Sequence, residues 1–231
     1  MEGIVKTKFL VVITDKGKDS KIKRLLKRYH IGFSFVVNGN GTASSSLLNY
    51  FGLEDVKKKI ISSVIPDSLE QKILYDLYNK AGLKEYGGGI AFTINITSAT
   101  RFLSNIYKDL EHLEGEYYME KDKEYELIVL IVLEGYASIA MDAAKKCGAN
   151  GGTLIHGLGL GTEESTKFLG ITIEPEKDIV LILVKKDDKK KVMKEVSDSV
   201  GLSHDGRGIC FSIPVDNVIG LNDNLKFLKK E

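Results

Sequence analysis

The sequence consists of two related halves, and this internal repeat limits the possible folds more than any other feature. The apolar run Phe9–Ile13 has a counterpart at Leu127–Ile131, 118 positions later, and the glycine-rich run Gly87–Phe92 has one at Gly206–Phe211. The matches keep their order along the chain and combine glycines with apolar runs, so chance is a poor explanation. Self-similarity at a fixed period indicates copies of one structural unit. We therefore expect two domains of similar fold.

Both halves show the same alternation of apolar patterns. Short β-branched runs predict strands, and segments with apolar residues at a spacing of three and four predict helices. The order in each half is β-α-β-β-α-β, the ferredoxin-like arrangement, so we expect an α+β protein with two antiparallel sheets. The predicted strands are Phe9–Thr14, Phe33–Val37, Lys59–Ile65 and Ile90–Ile94, then Leu127–Leu133, Thr153–His156, Asp178–Val184 and Ile209–Ile213.

The predicted helices are amphipathic, each with one face for the core. Asp or Ser in Pro66–Ser68 and Lys186–Asp188 is expected to cap the second helix of each half, and Gly82 and Gly201 to end it. The residues expected on buried helix faces are Ile22, Leu25, Leu26 and Tyr29, then Ile139, Ala143 and Ala144, and finally Val192, Met193, Val196 and Val200.

These patterns place the first domain at residues 1–98, a helical and charged linker at 99–124, and the second domain at 125–231. The linker opens with apolar residues at helical spacing, and we expect this helix to pack on its own half. Those residues are Phe102, Leu103, Ile106, Tyr107, Leu110 and Leu113. A sheet with helices on one face leaves its other face uncovered, so association between sheets is expected.

Composition sets the broad class of the protein. The 231 residues are 43% hydrophobic, which suffices for globular cores, and 33 basic residues balance 32 acidic ones to a net charge of +1. This balance does not favour nucleic acid or an anionic membrane as a partner. The apolar runs are too short for membrane insertion, no signal segment is seen, and two cysteines provide no disulfide framework. We therefore expect a cytoplasmic protein.

Glycine-rich loops are the clearest candidate binding sites. Alternating glycines remove side chains from a stretch of backbone, whose N–H groups can then form a concave anion site, and an arginine can grip phosphate or carboxylate. The opposing interpretation is that glycines between strands simply make turns, and neither a Walker loop nor a dinucleotide fingerprint occurs. The candidates are Gly157, Gly159, Gly161, Thr162, Gly206, Arg207 and Gly208 in the second half, and Gly39, Gly41, Gly87, Gly88 and Gly89 in the first.

Other polar residues predict no chemistry. His156 and His204 stand beside the glycine loops, but two histidines make a weak metal site, and a structural role is the preferred interpretation. No partner base is visible for the serines of Ser44–Ser46, and the carboxylates of 163–164 and 174–176 are interpreted as solvated charges. We predict no catalytic residue, no metal site and no enzyme activity.

A family resemblance rests on two segments of the second half. Glu174–Val184, after the glycine loop, looks like the strand that follows the T-loop of P-II nitrogen regulatory proteins, and Gly206–Val218 is similar to that family's glycine loop, last strand and valine-rich turn. The resemblance covers nearly all of Glu126–Leu221 and extends more weakly to Lys8–Ile96.

The resemblance implies a homotrimeric signalling protein. P-II proteins bind adenine nucleotides between subunits, many sense 2-oxoglutarate, and their T-loops bind target proteins of nitrogen metabolism. Gly157 and Gly159 match the base of the T-loop, and Gly206 and Gly208 match the phosphate-contacting loop. The chain has Leu160 and Gly161 where the family usually has Arg-Gln, and Ile209 replaces its lysine. The resemblance thus implies a small anionic effector, of the ATP, ADP or AMP type or similar, with no required cofactor, and the loss of these cations leaves its identity open.

Two other classes compete with this interpretation. An allosteric amino-acid-binding module of the ACT-like type would bind its ligand between paired sheets rather than at the glycine loops. An acylphosphatase-like hydrolase would need an arginine-bearing phosphate loop after the first strand. Asp15-Lys16-Gly17 and Glu134-Gly135-Tyr136 occupy that place, so the hydrolase is disfavoured.

Overall fold

A computed structural model describes residues 6–42, 56–85, 87–98, 106–107, 110, 117–119, 124–159, 166–168, 171–173, 176–221 and 227–229. The strands are β1 Thr7–Asp15, β2 Ser34–Gly41, β3 Val56–Pro66, β4 Ile90–Asn95, β5 Tyr117–Met119, β6 Tyr125–Leu133, β7 Thr153–Leu158, β8 Thr166–Phe168, β9 Ile171–Ile173, β10 Glu176–Lys185, β11 Ile209–Pro214, β12 Asn217–Ile219 and β13 Phe227–Lys229. The α-helices are α1 Asp19–Arg28, α2 Glu70–Asn79, α3 Ala137–Lys146 and α4 Lys189–Val200, and a 3₁₀ helix spans Asp67–Leu69.

The chain forms two compact units, and each is assembled from separate segments. The first contains described residues within Met1–Asn38, Lys58–Lys123 and Val215–Glu231, and the second those within Gly39–Lys57 and Glu124–Pro214. The short segment after β11 thus belongs to the first unit. The boundaries expected at residues 98 and 125 describe the sequence repeat, whereas the compact units take segments from both sides of them.

In the first unit, strand order is β2-β3-β1-β4-β12. Strand β1 is central and pairs antiparallel with β3 and β4, so that Val11 lies opposite Ser62 on one side and Phe92 on the other. Helices α1 and α2 cover one face through apolar stripes that include Ile22, Leu26 and Leu77. Alternate β1 residues reach this core because successive strand side chains point to opposite faces.

The second unit repeats this plan with strand order β11-β6-β10-β7. The order β6-α3-β7-β10-α4-β11 is again β-α-β-β-α-β, so the predicted ferredoxin-like fold is confirmed in both units. Between β7 and β10, strands β8 and β9 pair as an antiparallel hairpin. The remainder of that excursion lies outside the described residues.

Two details of the predicted helices are wrong. Ile139 is half exposed, because the buried stripe of α3 runs instead through Ala137, Ala140, Met141, Ala143 and Ala144. The predicted Asp and Ser caps make no side-chain capping bond: Leu69 precedes α2, and Asp188 before α4 has α-helical backbone angles. A capping side chain normally reaches the first turn from an extended backbone, which Asp188 lacks.

The predicted linker helix lies largely outside the described residues, but one of its apolar residues is informative. The Tyr107 side chain is fully buried in the first unit's core, and its hydroxyl donates a hydrogen bond to the Val64 carbonyl at 2.6 Å. This contact supports the expectation that the segment packs on its own half. In the described part of the chain, no helix has both the length and the apolar character required to cross a bilayer.

Candidate functional site

The candidate glycines of the second unit lie at one end of its sheet. Gly157, on β7, is opposite Lys177 of β10, which is itself opposite Leu133 of β6. The Leu133 N–H donates to the Gly206 carbonyl at 3.0 Å, so Gly157 and Gly206 belong to one cross-strand row. Three strand spacings separate them, about 14 Å. The two glycine segments therefore lie at the same end of the sheet but do not contact each other.

The other candidates near this end lie in the second unit or outside the described residues. Gly39 and Gly41 come from the first half of the sequence repeat, but this last part of β2 belongs to the second compact unit, where Gly41 lies opposite Thr153. Gly159 directly follows β7, while Gly161 and Thr162 lie outside the described residues. None of the described glycines in this group has a positive φ angle.

Close packing accounts for the glycines of the second unit's other loop. A Cβ atom at Gly208 would lie 2.5 Å from the Val200 carbonyl oxygen, and one at Gly206 would lie 3.1 Å from the Tyr136 ring. The amide of Gly208 donates to Val200, and that of Arg207 donates to His204. The expectation that the N–H groups of Arg207 and Gly208 are bared for an anion is therefore wrong: the first is bonded within the turn, and the second closes the loop onto the end of α4.

Carboxylates surround this edge of the second unit. The buried Asp178 side chain accepts from the Gly135 amide at 3.0 Å and bonds His156 Nδ1 at 2.8 Å. The Glu134 amide donates to the Glu176 carbonyl at 3.1 Å, and the neighbouring Glu176 carboxylate raises the pKa of the exposed Glu134 side chain. Two adjacent carboxylates create a locally negative potential. Here the predicted anion site of the second unit is acidic.

The histidines are not brought together by these contacts. His156 is held by Asp178, with Asn40 Nδ2 3.5 Å from its other ring nitrogen, whereas His204 lies in an exposed turn after α4. Among the described residues, no group of three or more His, Cys, Asp or Glu side chains is arranged to hold a metal ion.

The first unit's glycine loop is built differently. Gly87 and Gly89 have φ angles of 66° and 118°, a region that favours glycine. The Gly88 amide donates to Glu85, and the Gly88 carbonyl accepts from the Thr14 hydroxyl at 2.9 Å. The Gly87 carbonyl accepts from the Lys18 ammonium, also at 2.9 Å. The Gly88 amide, expected to be bared, is therefore hydrogen-bonded within the loop, and the Lys18 ammonium is bound at the loop's surface.

A cavity of about 450 Å³ opens beside this loop, and all of its lining residues belong to the first unit. This volume is in the range of small-molecule pockets. One part of the wall is apolar and another part is charged. The lining residues are Lys58, Tyr78, Leu83, Lys84, Glu85, Gly87, Gly88, Gly89, Ile90 and Gly220.

Two lysines and one glutamate supply the formal charges of the lining. Lys58 Nζ bonds Asp15 Oδ1 at 2.5 Å, and Lys18 Nζ lies 3.8 Å from the other oxygen of the same carboxylate. Asp15 therefore holds two ammonium groups close to the loop, while Lys84 is exposed. Partly exposed ammonium groups at the mouth of a cavity attract small anions.

Sequence reasoning found the glycines of this pocket but missed its cations. The run Lys57-Lys58-Lys59 at the start of β3 was an available signal, since Lys58 is opposite Asp15 in the antiparallel register. Gly220 gave no signal, because it comes from the far end of the chain and joins the lining through the pairing of β12 with β4.

No family model matches the sequence, and no curated protein matches it. Similar solved structures include Arabidopsis thaliana PII bound to citrate, with 22% identity, a TM-score of 0.31, and coverage of 41% of this chain and 77% of that one. A Bacillus cereus protein related to NIF3 has 16% identity, a TM-score of 0.30, and coverage of 44% and 27%. The regulatory subunit of aspartate kinase from Thermus flavus has 10% identity, a TM-score of 0.27, and coverage of 85% and 94%. At these values the overlaps carry no argument about what this chain binds.

Proposed function

We propose that this chain is a regulatory protein that binds a small anionic effector in the cavity of the first unit. The observation that carries the proposal is the convergence of Lys58 and Lys84 on the Gly87–Gly89 loop around a cavity of about 450 Å³. Lys18 adds a third ammonium at the edge of the loop. Such an arrangement favours phosphate or carboxylate groups, while Tyr78 and Leu83 offer an apolar wall for the rest of the ligand.

The role is binding rather than catalysis. Among the described lining residues no histidine, cysteine or serine is present that would form a nucleophile and base pair. The charged groups are two ammonium ions and one carboxylate, which suit recognition of a ligand.

The P-II resemblance extends this proposal. The effector is of the adenine-nucleotide type or a similar small anion, and the output is contact with a target protein of nitrogen metabolism through the excursion between β7 and β10, in the manner of a T-loop. The resemblance also implies a homotrimer, and Phe35 on β2 and Phe211 on β11, each nearly half exposed, are candidate contacts between copies. Light scattering that shows a stable monomer would contradict the trimer while leaving the effector site untouched.

Calorimetry tests the effector site directly. ATP, ADP, AMP, 2-oxoglutarate and citrate, which all carry phosphate or carboxylate groups, are titrated into the protein at low ionic strength. We expect at least one of these ligands to bind. Its affinity should fall as the salt concentration is raised, because salt screens exposed charges. Heat absent for all five would refute the proposal.

Matched variants locate the binding. Lys58→Gln with Lys84→Gln is expected to weaken binding at least tenfold, because two cations of the lining are removed. The control, Lys21→Gln with Lys27→Gln, changes the net charge equally on the exposed surface of α1 and should bind as the native chain does. Equal binding by both variants would place the ligand elsewhere, as the ACT-like alternative expects.

A further inference from the structure

The equivalent sheet ends of the two units carry opposite charges. In the first unit Thr14 pairs with Lys59, and in the second Val132 pairs with Asp178. By the same register and the sequence repeat, Lys16 corresponds to Glu134 and Lys57 to Glu176. Three positions that are lysines in the first unit are thus carboxylates in the second unit.

Local contacts hold the carboxylates of the second unit in place at the strand ends. The Glu134 amide donates to the Glu176 carbonyl at 3.1 Å and both side chains are exposed, so the two carboxylates are neighbours at the strand ends. Asp178 is buried and held by the Gly135 amide and His156. The opposing cation, Arg207, belongs to the glycine loop, whose Gly206 carbonyl is bonded to Leu133, the residue next to Glu134. The strand-end residue Glu134 is therefore one position away from a direct backbone bond to this glycine loop.

We propose that the chain binds its anionic effector at one unit only, and that Glu134 and Glu176 are the specificity determinants that exclude anions from the glycine loop of the second unit. This inference rests on the proposed function, since it assigns the single anion site to the Gly87–Gly89 loop. Repulsion by like charges is enough for such discrimination because it raises the free energy of the wrong complex. Each chain accordingly carries one effector rather than two.

Amide NMR with inorganic pyrophosphate as the probe separates the two loops. In the native chain we expect the Gly87–Gly89 amides to shift on titration and those of Gly206 and Gly208 to stay in place, with a stoichiometry of one per chain by calorimetry. If no glycine of either loop shifts, the proposed function itself fails. If both loops shift, the anion site of the first unit stands and only the exclusion is overturned.

Charge-exchange variants test the determinants. Glu134→Lys with Glu176→Lys gives the second unit the residues of the first, and the Gly206 and Gly208 amides are then expected to respond to pyrophosphate. Lys16→Glu with Lys57→Glu is expected to weaken binding at Gly87–Gly89 at least fivefold. If Gly206 and Gly208 remain silent in the first variant, or binding stays within twofold in the second, the assignment is overturned.

The controls carry the same charge changes on helix surfaces. Asp142→Lys with Glu195→Lys matches the first variant, and Lys21→Glu with Lys27→Glu matches the second; all four side chains are exposed. Both controls should reproduce the native pattern of shifts. A response at Gly206 and Gly208 in the first control would mean that overall charge, and not the strand-end carboxylates, decides the selectivity.

Discussion

Gly220 is so close to Gly89 that a Cβ atom on Gly220 would lie 2.1 Å from the Gly89 carbonyl oxygen. No real Cβ contact is that short, and the neighbouring atoms are backbone, which moves only at high cost. Gly220 also has a φ angle of 87°, which side-chain-bearing residues rarely adopt. The segment after β12 can therefore complete the cavity beside the Gly87–Gly89 loop only if residue 220 has no side chain.

Gly220→Ala is expected to destabilise the first unit by about 2–4 kcal/mol, from backbone strain and overpacking together. It should also weaken effector binding, because the cavity wall must shift. Urea unfolding and calorimetry measure the two effects. Gly17→Ala is the control: its φ angle is 99° but nothing lies within 4 Å of its Cβ position, so only the strain of about 1 kcal/mol is expected. Equal losses in both variants would show that the contact with Gly89 is unimportant.

Lys8 forms ion pairs with carboxylates of the first unit. Its ammonium bonds Asp216 at 2.9 Å and lies 3.7 Å from Glu70, whose side chain is almost fully buried. Burial is the largest influence and lowers the pKa of Lys8, but the Asp216 bond and the neighbouring carboxylates together raise it above the ordinary value. Lys8→Met should cost about 3–5 kcal/mol of unfolding free energy, because it leaves the buried Glu70 carboxylate without its cation.

The raised pKa of Lys8 also fixes the sign of a pH effect. Its stabilising contribution is fully present below the ordinary lysine pKa of 10.5 and is lost as the pH rises through the higher folded value. Lys23→Met is the control, since its bond with Asp19 is on an exposed helix surface and is worth less than about 1 kcal/mol. A loss at Lys8 no larger than that at Lys23 would contradict the buried network.

The ion pair of Glu126 with Lys189 should make the stability of the second unit depend on acid pH. It accepts from Lys189 at 2.6 Å, which joins α4 to β6, and this bond lowers the pKa of Glu126 below its ordinary 4.5. The contribution of the pair is present above that value and disappears as the pH falls through the lower folded value. Glu126→Gln should cost about 1–2 kcal/mol at neutral pH and flatten the decline in stability below pH 4.5. An unchanged acid profile in urea unfolding would count against it.

Tyr107→Phe removes the buried hydrogen bond to the Val64 carbonyl while keeping the ring in the core. We expect a loss of about 1–2 kcal/mol, since a buried carbonyl is left without this donor. Burial raises the pKa of Tyr107, so the native chain should also lose stability above pH 10, and the variant should lose less there. Tyr107→Leu is the comparison that removes ring packing as well, and its loss must exceed that of the phenylalanine variant.

Much of the architecture was predictable from local pattern. The β-branched run Phe9–Thr14 and its repeat at Leu127–Leu133 identified the central strands β1 and β6, because a strand buried on both faces must be apolar along its length. Ile22, Leu25 and Leu26 identified the buried face of α1 by their spacing. The same spacing rule was wrong for Ile139 in α3. This helix is rich in alanine, and its largest apolar side chain lies on the exposed face rather than the core face.

The sequence by itself determined the repeat, the order of elements in each half and the glycines of the loops, because these depend on residues close together in the chain. Only the tertiary structure decided that the amides of Arg207 and Gly208 close onto their own unit and that Gly220 lines the cavity beside Gly89. It also placed Lys58 against Asp15 and Asp178 against His156. These charges are far apart in sequence, and strand register, which is set by the whole sheet, decides which of them meet.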